Sequence, residues 1–212
     1  MDEVAARRWL VENRDVPRET LERLDRFEAL LREENHRQNL VSAASLDRLW
    51  ARHIVDSAQL LPLAPQTGRW LDLGTGAGFP GLVVAMLWPG ETILIEQRRL
   101  RADFLARAIE MLDIGARTRI LCGNAGQLAL PPADVISARA FAPLDRLFGL
   151  SLHLSHPETL WLLPKGRNAK TELEAARASW QGRFRLEPSC TDPEAFIIVA
   201  AGVRRRAGRR AK

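Results

Sequence analysis

The segment RWLDLGTGAGFPG, Arg69 to Gly81, restricts the possible folds of this chain more than any other stretch. An apolar strand-like run enters it, an apolar helical pattern (LVVAMLW) leaves it, and glycines stand at positions 74, 76, 78 and 81. A strand that turns through glycines into a helix is the first βα turn of an open α/β sheet, where ligands bind beyond the strand ends. Glycine permits positive φ and close approach of bare backbone, at a cost of about 0.5–1 kcal/mol relative to alanine in regular structure.

The flanking texture agrees. Up to about residue 62 the chain reads as helical. Leu21, Leu24, Phe27 and Leu31 recur at three- to four-residue spacing, and Leu46, Leu49, Trp50, His53, Ile54 and Ser57 repeat the pattern. LPLAPQTG then breaks it. From Arg69 onward short apolar runs alternate with helical stretches, and RFRLEP and AFIIVA close the chain as an antiparallel pair. The helix after ETILIE is expected to bury Leu100, Phe104, Ala108, Met111 and Leu112 and to stop at Gly115. The expected fold class is α/β: a Rossmann-like, mostly parallel seven-stranded sheet with helices on both faces and an N-terminal helical extension. The expected divisions are a helical region at 1–64, a ligand-binding domain at 65–202 and a basic tail at 203–212.

Charge matters through its placement. The chain holds 31 Lys+Arg and 26 Asp+Glu, but the last ten residues, VRRRAGRRAK, contain six of the cations and no acid. Without them 25 cations face 26 acids, so the basic character belongs to the tail. Arg204, Arg205, Arg206, Arg209 and Arg210 read as an arm for a polyanion or as a solvated end. Cys122 and Cys190 form neither a metal spacing nor a disulfide framework and are expected to be buried thiols. No metal is expected. The first residues lack the apolar core of a secretory signal, and LVVAMLW is too short to span a bilayer. A cytoplasmic monomer is the expectation.

Two ligands compete for the glycine turn. A dinucleotide asks for G-x-G-x-x-G with its pyrophosphate on the helix N-terminus. Here the spacing is G-x-G-x-G, Phe79 occupies the third fingerprint position, and Pro80 removes one N–H that a phosphate would use. Asp72 adds negative charge near the crevice, which repels pyrophosphate and suits the sulfonium and ammonium of S-adenosylmethionine. Glu96 ends the second strand, where a carboxylate can accept both ribose hydroxyls. After the third strand, Asn124 can bond an adenine amino group or serve as a turn residue, and the backbone of Ala125 and Gly126 can meet the ring edge. Together these residues favour a methyl donor over a nicotinamide.

The acceptor is less legible. The loop after strand four reads VISARAFAPL, without the Asn/Asp-Pro-Pro-aromatic pattern of many amino-group methyltransferases and without a cysteine for covalent attack. Arg139 in that loop and Lys165 in LPKG are cations without an evident general base. Such a site suits an acceptor that already has a free lone pair, such as guanine N7, whose attack needs alignment more than proton removal. Arg139 can pair with an acid such as Asp72, hold the cofactor's carboxylate end, or both. His53, Asp56 and Ser57 share one helical face, either to dock the helical region onto the sheet or to close the crevice over a ligand. A methyltransferase for another RNA base or a small molecule, and an RNA-binding sensor of the cofactor, remain as alternatives.

At this level the chain resembles the RsmG (GidB) family of bacterial small-subunit rRNA methyltransferases, from about Phe27 to Ala200. The resemblance rests on NLVS (Asn39–Ser42), RHIVDS (Arg52–Ser57), LDLGTGAGFPG (Leu71–Gly81), VISARAFAPL (Val135–Leu144) and LPKG (Leu163–Gly166). It implies S-adenosylmethionine-dependent N7 methylation of one guanine in 16S rRNA, near the decoding region, with 16S rRNA or a small-subunit precursor as partner. It also implies cofactor contacts at Gly74, Phe79, Ala125, Gly126 and Arg139. The chain departs from the family pattern at Glu34-Asn35, where Trp-Asn is frequent, and at Gly126, where an acid is frequent.

Overall fold

The computed structural model describes residues 1–206; Arg209 and Arg210 lie outside the described residues. Two helices, α1 (Glu3–Arg14) and α2 (Arg18–Gln38), open the chain, followed by one short turn of helix, α3 (Ala43–Leu46). The next segment is not the single α-helix that its periodicity predicts. Trp50–Val55 is π-helical and runs into a short α4 (Asp56–Ala58). The cause lies in α1: the Glu3 carboxylate accepts the N–H groups of Trp50 and Ala51, both at 2.9 Å. That carboxylate caps the entry of the wound segment from outside its own helix.

The sheet comprises β1 (Arg69–Leu73), β2 (Glu91–Glu96), β3 (Thr118–Cys122), β4 (Ala133–Ser137), β5 (Ser155–Lys165), β6 (Trp180–Pro188) and β7 (Phe196–Arg205). Its order is β3-β2-β1-β4-β5-β7-β6, with β7 antiparallel to both neighbours. Helices α5 (Gly81–Leu87), α6 (Arg99–Met111), α7 (Leu144–Ser151) and α8 (Ala169–Ala176) make the crossovers. The strand order reverses between β1 and β4, so the crevice opens at the carboxyl ends of those strands.

Period-2 alternation assigns the two faces. Leu71, Leu73, Ile93 and Ile95 join the core under α7 and α8. Trp70 and Leu94 face the other layer, where one cluster runs without interruption from Leu10, Leu24 and Phe27 to Leu82, Phe104 and Leu112. Residues 1–64 therefore share their core with α5 and α6. Arg107 pairs with Glu34 at 2.8 Å across the same seam.

Four sequence expectations change. Leu100 and Met111 are 71% and 57% exposed, and α6 instead buries Ala102, Phe104, Leu105, Ala108 and Ile109. Phe104, Ala108 and Leu112 are buried as expected, so only the two outlying members of the stripe face solvent. The helix ends at Met111, and Asp113 rather than Gly115 takes the left-handed turn at φ 53°. Cys122 and Cys190 are exposed, because β3 is an edge strand and Cys190 lies in the β6–β7 connection. Finally, β7 runs on to Arg205. Arg204 and Arg205 pair with Gln181 and Trp180, and the Arg206 amide donates to the Ser179 carbonyl at 2.8 Å. Arg204 and Arg205 thus end β7, and Arg206 stays bonded beside the start of β6, rather than forming a free tail. No helix among the described residues is long and apolar enough to cross a membrane.

Gly81 begins α5 directly over β1 and β2. A Cβ there would lie 2.1 Å from Leu94 Cδ2 and 2.7 Å from Asp72 Oδ2. Gly81→Ala is expected to lower stability by about 1–3 kcal/mol, as overpacking does. Urea unfolding should show a lower midpoint at unchanged slope.

Candidate active site

Asp72, at the centre of β1, is the foundation of the glycine turn. It is fully buried, and register places it opposite Leu94 on one side and Ser137 on the other. Its Oδ1 accepts from Ser137 Oγ at 2.7 Å, and its Oδ2 accepts from the Gly81 amide at 2.9 Å and from Thr75 Oγ1. Trp70 Nε1 donates to the same Ser137 Oγ at 2.8 Å. Burial pushes the Asp72 carboxyl above the usual range, and the Thr75, Ser137 and Gly81 donors pull against that shift. The acid does not face the crevice as the sequence suggested. It ties both ends of the turn to β1 and β4.

The glycines divide by what lies behind them. Gly74, Gly76 and Gly78 all have positive φ, at 65°, 59° and 101°. A Cβ on Gly74 would strike the Phe141 ring at 2.3 Å, and one on Gly78 would strike Leu82 at 2.6 Å. Only Gly76 would meet no clash, its nearest neighbours being the Arg101 guanidinium and the Gly74 carbonyl at 3.8 Å. Its amide donates to Glu96 Oε2 at 3.1 Å, while Glu96 Oε1 accepts from the Arg98 amide at 2.8 Å. This buried carboxylate at the end of β2 keeps a lone pair on each oxygen for further donors. Asn124 caps the 3-10 turn Ala125–Gln127 by accepting from the Gly126 amide at 2.9 Å. Its oxygen thus does turn work, while its amide donors have no partner among the described hydrogen bonds. Gly74, Gly76, Glu96 and the Asn124–Gly126 turn all gather at the carboxyl ends of β1, β2 and β3.

Arg139, two residues past β4, joins this loop to the helical region, though not through Asp72. Its Nη1 donates to the Arg52 carbonyl at 3.1 Å and to Asp56 Oδ2 at 3.2 Å, and its Nη2 donates to His53 Nδ1 at 2.7 Å. Burial pushes its pKa down, and the charge of Asp56 pushes it back up. His53 stacks on Phe79 with centroids 4.8 Å apart and planes 19° apart, and the Arg139 guanidinium carbon lies 5.3 Å from the same ring. Phe79 is thus packed among Phe27, His53 and Arg139 rather than open to the crevice.

A guanidinium only donates, so His53 Nδ1 accepts and the ring proton sits on Nε2. Burial, then the charges of Arg139 and Arg52, push the His53 pKa from 6.5 down to about 3. His53 is a neutral histidine whose basic lone pair is already occupied. Lys165, at the end of β5, is held by the Ala142 carbonyl at 3.1 Å and by Glu172 Oε1 at 2.7 Å.

The family model described as rRNA small subunit methyltransferase G matches residues 20–189. The chain belongs to the rRNA small subunit methyltransferase G family. A Rhizorhabdus wittichii protein named Ribosomal RNA small subunit methyltransferase G is 53% identical over 209 residues, covering 97% of this chain and 95% of that protein. One of the same name from Zymomonas mobilis is 48% identical over 204 residues, with 92% and 91% covered. An O-methyltransferase from Bacillus cereus in complex with SAH aligns at TM-score 0.60 and 15% identity, over 93% of this chain and 97% of its own. A SAM-dependent methyltransferase from Aquifex aeolicus aligns at 0.59 and 13%, over 82% and 98%. These establish the class I methyltransferase fold, and the family is S-adenosylmethionine-dependent.

The crevice fits that cofactor. Gly76 leaves a bare-backbone wall, Glu96 presents unfilled lone pairs beside it, and Phe79 and Pro80 remain a poor cradle for pyrophosphate. Sequence reasoning missed four members of the surrounding frame: Thr75, Ser137, Phe141 and Glu172. Only Thr75 and Ser137 carry a visible signal, a small polar residue inside an otherwise apolar strand or turn.

Gly76→Val should abolish S-adenosylhomocysteine binding in calorimetry while costing only the strain of a left-handed residue, about 1–3 kcal/mol. For His53, 15N NMR should show the Nε2–H tautomer unchanged between pH 8 and 5. Between pH 6.5 and about 3 the unfolded chain binds a proton that folded His53 refuses, so this group makes stability fall as pH falls through that window. His53→Asn, which keeps an acceptor for Arg139, should flatten the decline of melting temperature between pH 6.5 and 5.

Proposed function

We propose that this chain transfers a methyl group from S-adenosylmethionine to N7 of a guanine in small-subunit ribosomal RNA. The observation that carries the acceptor atom is that His53, the histidine stacked against the glycine turn, has no basic lone pair to spare. His53 Nδ1 is taken by Arg139. Asp56 accepts from Arg139, Gln59 and Thr191, and Asp72 from Thr75, Gly81 and Ser137. Glu172 Oε1 takes both Lys165 and the Leu144 amide, and its charge is paired with that of Lys165. Guanine N7 has an in-plane lone pair and no proton to lose, so its methylation asks only for alignment and desolvation.

When bound, S-adenosylmethionine supplies a methyl group on a sulfonium centre. In this reading Glu96 holds the ribose hydroxyls, Gly74 and Gly76 let the main chain lie against the cofactor, and the turn at Asn124, Ala125 and Gly126 meets the adenine edge. Gly78, Phe79 and Asp72 act from behind by fixing the loop. Arg139 and Lys165 position the substrates from the ends of β4 and β5. Exposed Arg52, Arg98, Arg204 and Arg205 supply cations for the RNA backbone. Each phosphate contact contributes about 0.7 to the slope of log affinity against log salt on a single strand.

Small-subunit rRNA from cells with and without the protein tests the reading. Digestion and nucleoside mapping should find one 7-methylguanine that disappears with the protein and returns on incubation with S-adenosylmethionine. A methyl group on another atom or another base would overturn it. Arg139→Lys should cut turnover by at least 10-fold, because an ammonium cannot bridge Asp56, His53 and the Arg52 carbonyl with planar geometry.

A further inference from the structure

A cavity of about 660 Å³ opens beside Arg139 and His53, within the size range of small-ligand pockets. Three parts of the chain wall it: the wound segment with Arg48, Arg52 and Asp56, the strand ends at Ala140 and Lys165, and the β6–β7 connection with Asp192. The third wall is fastened to the first. Thr191 Oγ1 donates to Asp56 Oδ1 at 3.0 Å, and Gln59 Oε1 accepts the Cys190 amide at 2.9 Å. The shape of the cavity is thus fixed by the same Asp56 that holds Arg139.

Two carboxylates line it, and they differ in what they have left to give. Asp56 is spent on three side-chain donors. Asp192 accepts the Glu194 amide through Oδ1 at 3.0 Å and forms no ion pair among the described residues. Its second oxygen is uncommitted, in a cavity that also holds Arg48, Arg52, Arg139 and Lys165.

We propose that Asp192 is the specificity-determining residue that reads the Watson–Crick edge of the acceptor guanine. Guanine alone among the RNA bases presents two adjacent N–H donors there, from N1 and the 2-amino group, and a carboxylate accepts such a pair side by side. Adenine and cytosine place a ring acceptor on that edge, which a carboxylate repels. N7 lies on the opposite edge of the purine. A base gripped by Asp192 at the β6–β7 wall therefore turns N7 inward, toward Arg139 and the glycine turn. The inference rests on the guanine-N7 reading and adds the residue that selects the base.

The test is a cycle between Asp192→Asn and replacement of the acceptor guanine by inosine, which keeps N7 and lacks only the 2-amino group. Small-subunit rRNA carrying inosine at the acceptor position is made by splinted ligation and compared with its guanine counterpart by kcat/KM. Asp192→Asn keeps the side-chain oxygen that caps the Glu194 amide. The native protein should lose about 10- to 100-fold on inosine, the discrimination expected of one bidentate pair. Asp192→Asn should lose a similar factor on guanine and little more on inosine. Native protein indifferent to the 2-amino group, or a variant whose loss is the same on both bases, overturns the proposal. If the variant does not fold, the native protein's guanine-to-inosine ratio alone decides. Recovery of a methylated product other than 7-methylguanine in the guanine arm instead overturns the N7 reading.

Discussion

The site depends on a single guanidinium whose partners come from two regions of the chain distant in sequence. Arg139 leaves the end of β4 and is received by His53 and the Arg52 carbonyl on the wound segment and by Asp56 at the start of α4, all in the N-terminal helical region. A largely buried cation is tolerated only when its donors are paired, and here three acceptors supply that pairing. The arrangement fixes the position of the helical region over the sheet and the stacking of His53 on Phe79. It also uses up the lone pair of the one histidine in the network. The chemistry available to the site is therefore set by the same contacts that hold its parts together.

Beneath that junction lies a second buried charge with the opposite sign and a different task. Asp72 draws Thr75, Gly81 and Ser137 together, so the strand entering the turn, the helix leaving it and the neighbouring strand meet at one carboxylate. A half-satisfied carboxylate at this depth would be costly, and a fully satisfied one rigidifies the loop. Gly76 then offers its bare backbone from a rigid turn rather than from a mobile one. Ala140 adds a further constraint: a non-glycine residue at φ 50° between Arg139 and the Phe141 ring that covers Gly74. Left-handed alanine is unfavourable by itself and persists because both neighbours are pinned.

Much of this was legible in the sequence, and the failures have physical causes. The βα alternation gave the strand order its parallel part, and the closing pair was antiparallel as RFRLEP and AFIIVA suggested. Local periodicity did not reveal the π-helical winding at Trp50–Val55, because its cause is Glu3, nearly fifty residues earlier. For the same reason the partner of Arg139 was misjudged. Asp72 is nearer in the sheet, but its oxygens are consumed within the turn, and Asp56 arrives from another region. The arginines at 204–206 read as a tail because a run of cations carries no apolar alternation, yet exposed side chains do not prevent the backbone from pairing with β6. The spacing of glycines said that backbone freedom was needed; it did not say that Gly74 and Gly78 serve Phe141 and Leu82 while Gly76 alone faces outward.

The central claim is that the protein removes no proton during methyl transfer, because guanine N7 has none to lose and the histidine beside the glycine turn has its basic nitrogen held by Arg139. The pH dependence of the single-turnover transfer rate, with RNA and S-adenosylmethionine both saturating, addresses it most directly. The account predicts a rate that varies less than about twofold between pH 6 and 8.5. A rate that rises tenfold per pH unit to a plateau, and loses that dependence in one of the side-chain variants at His53, Asp56 or Glu172, would contradict it.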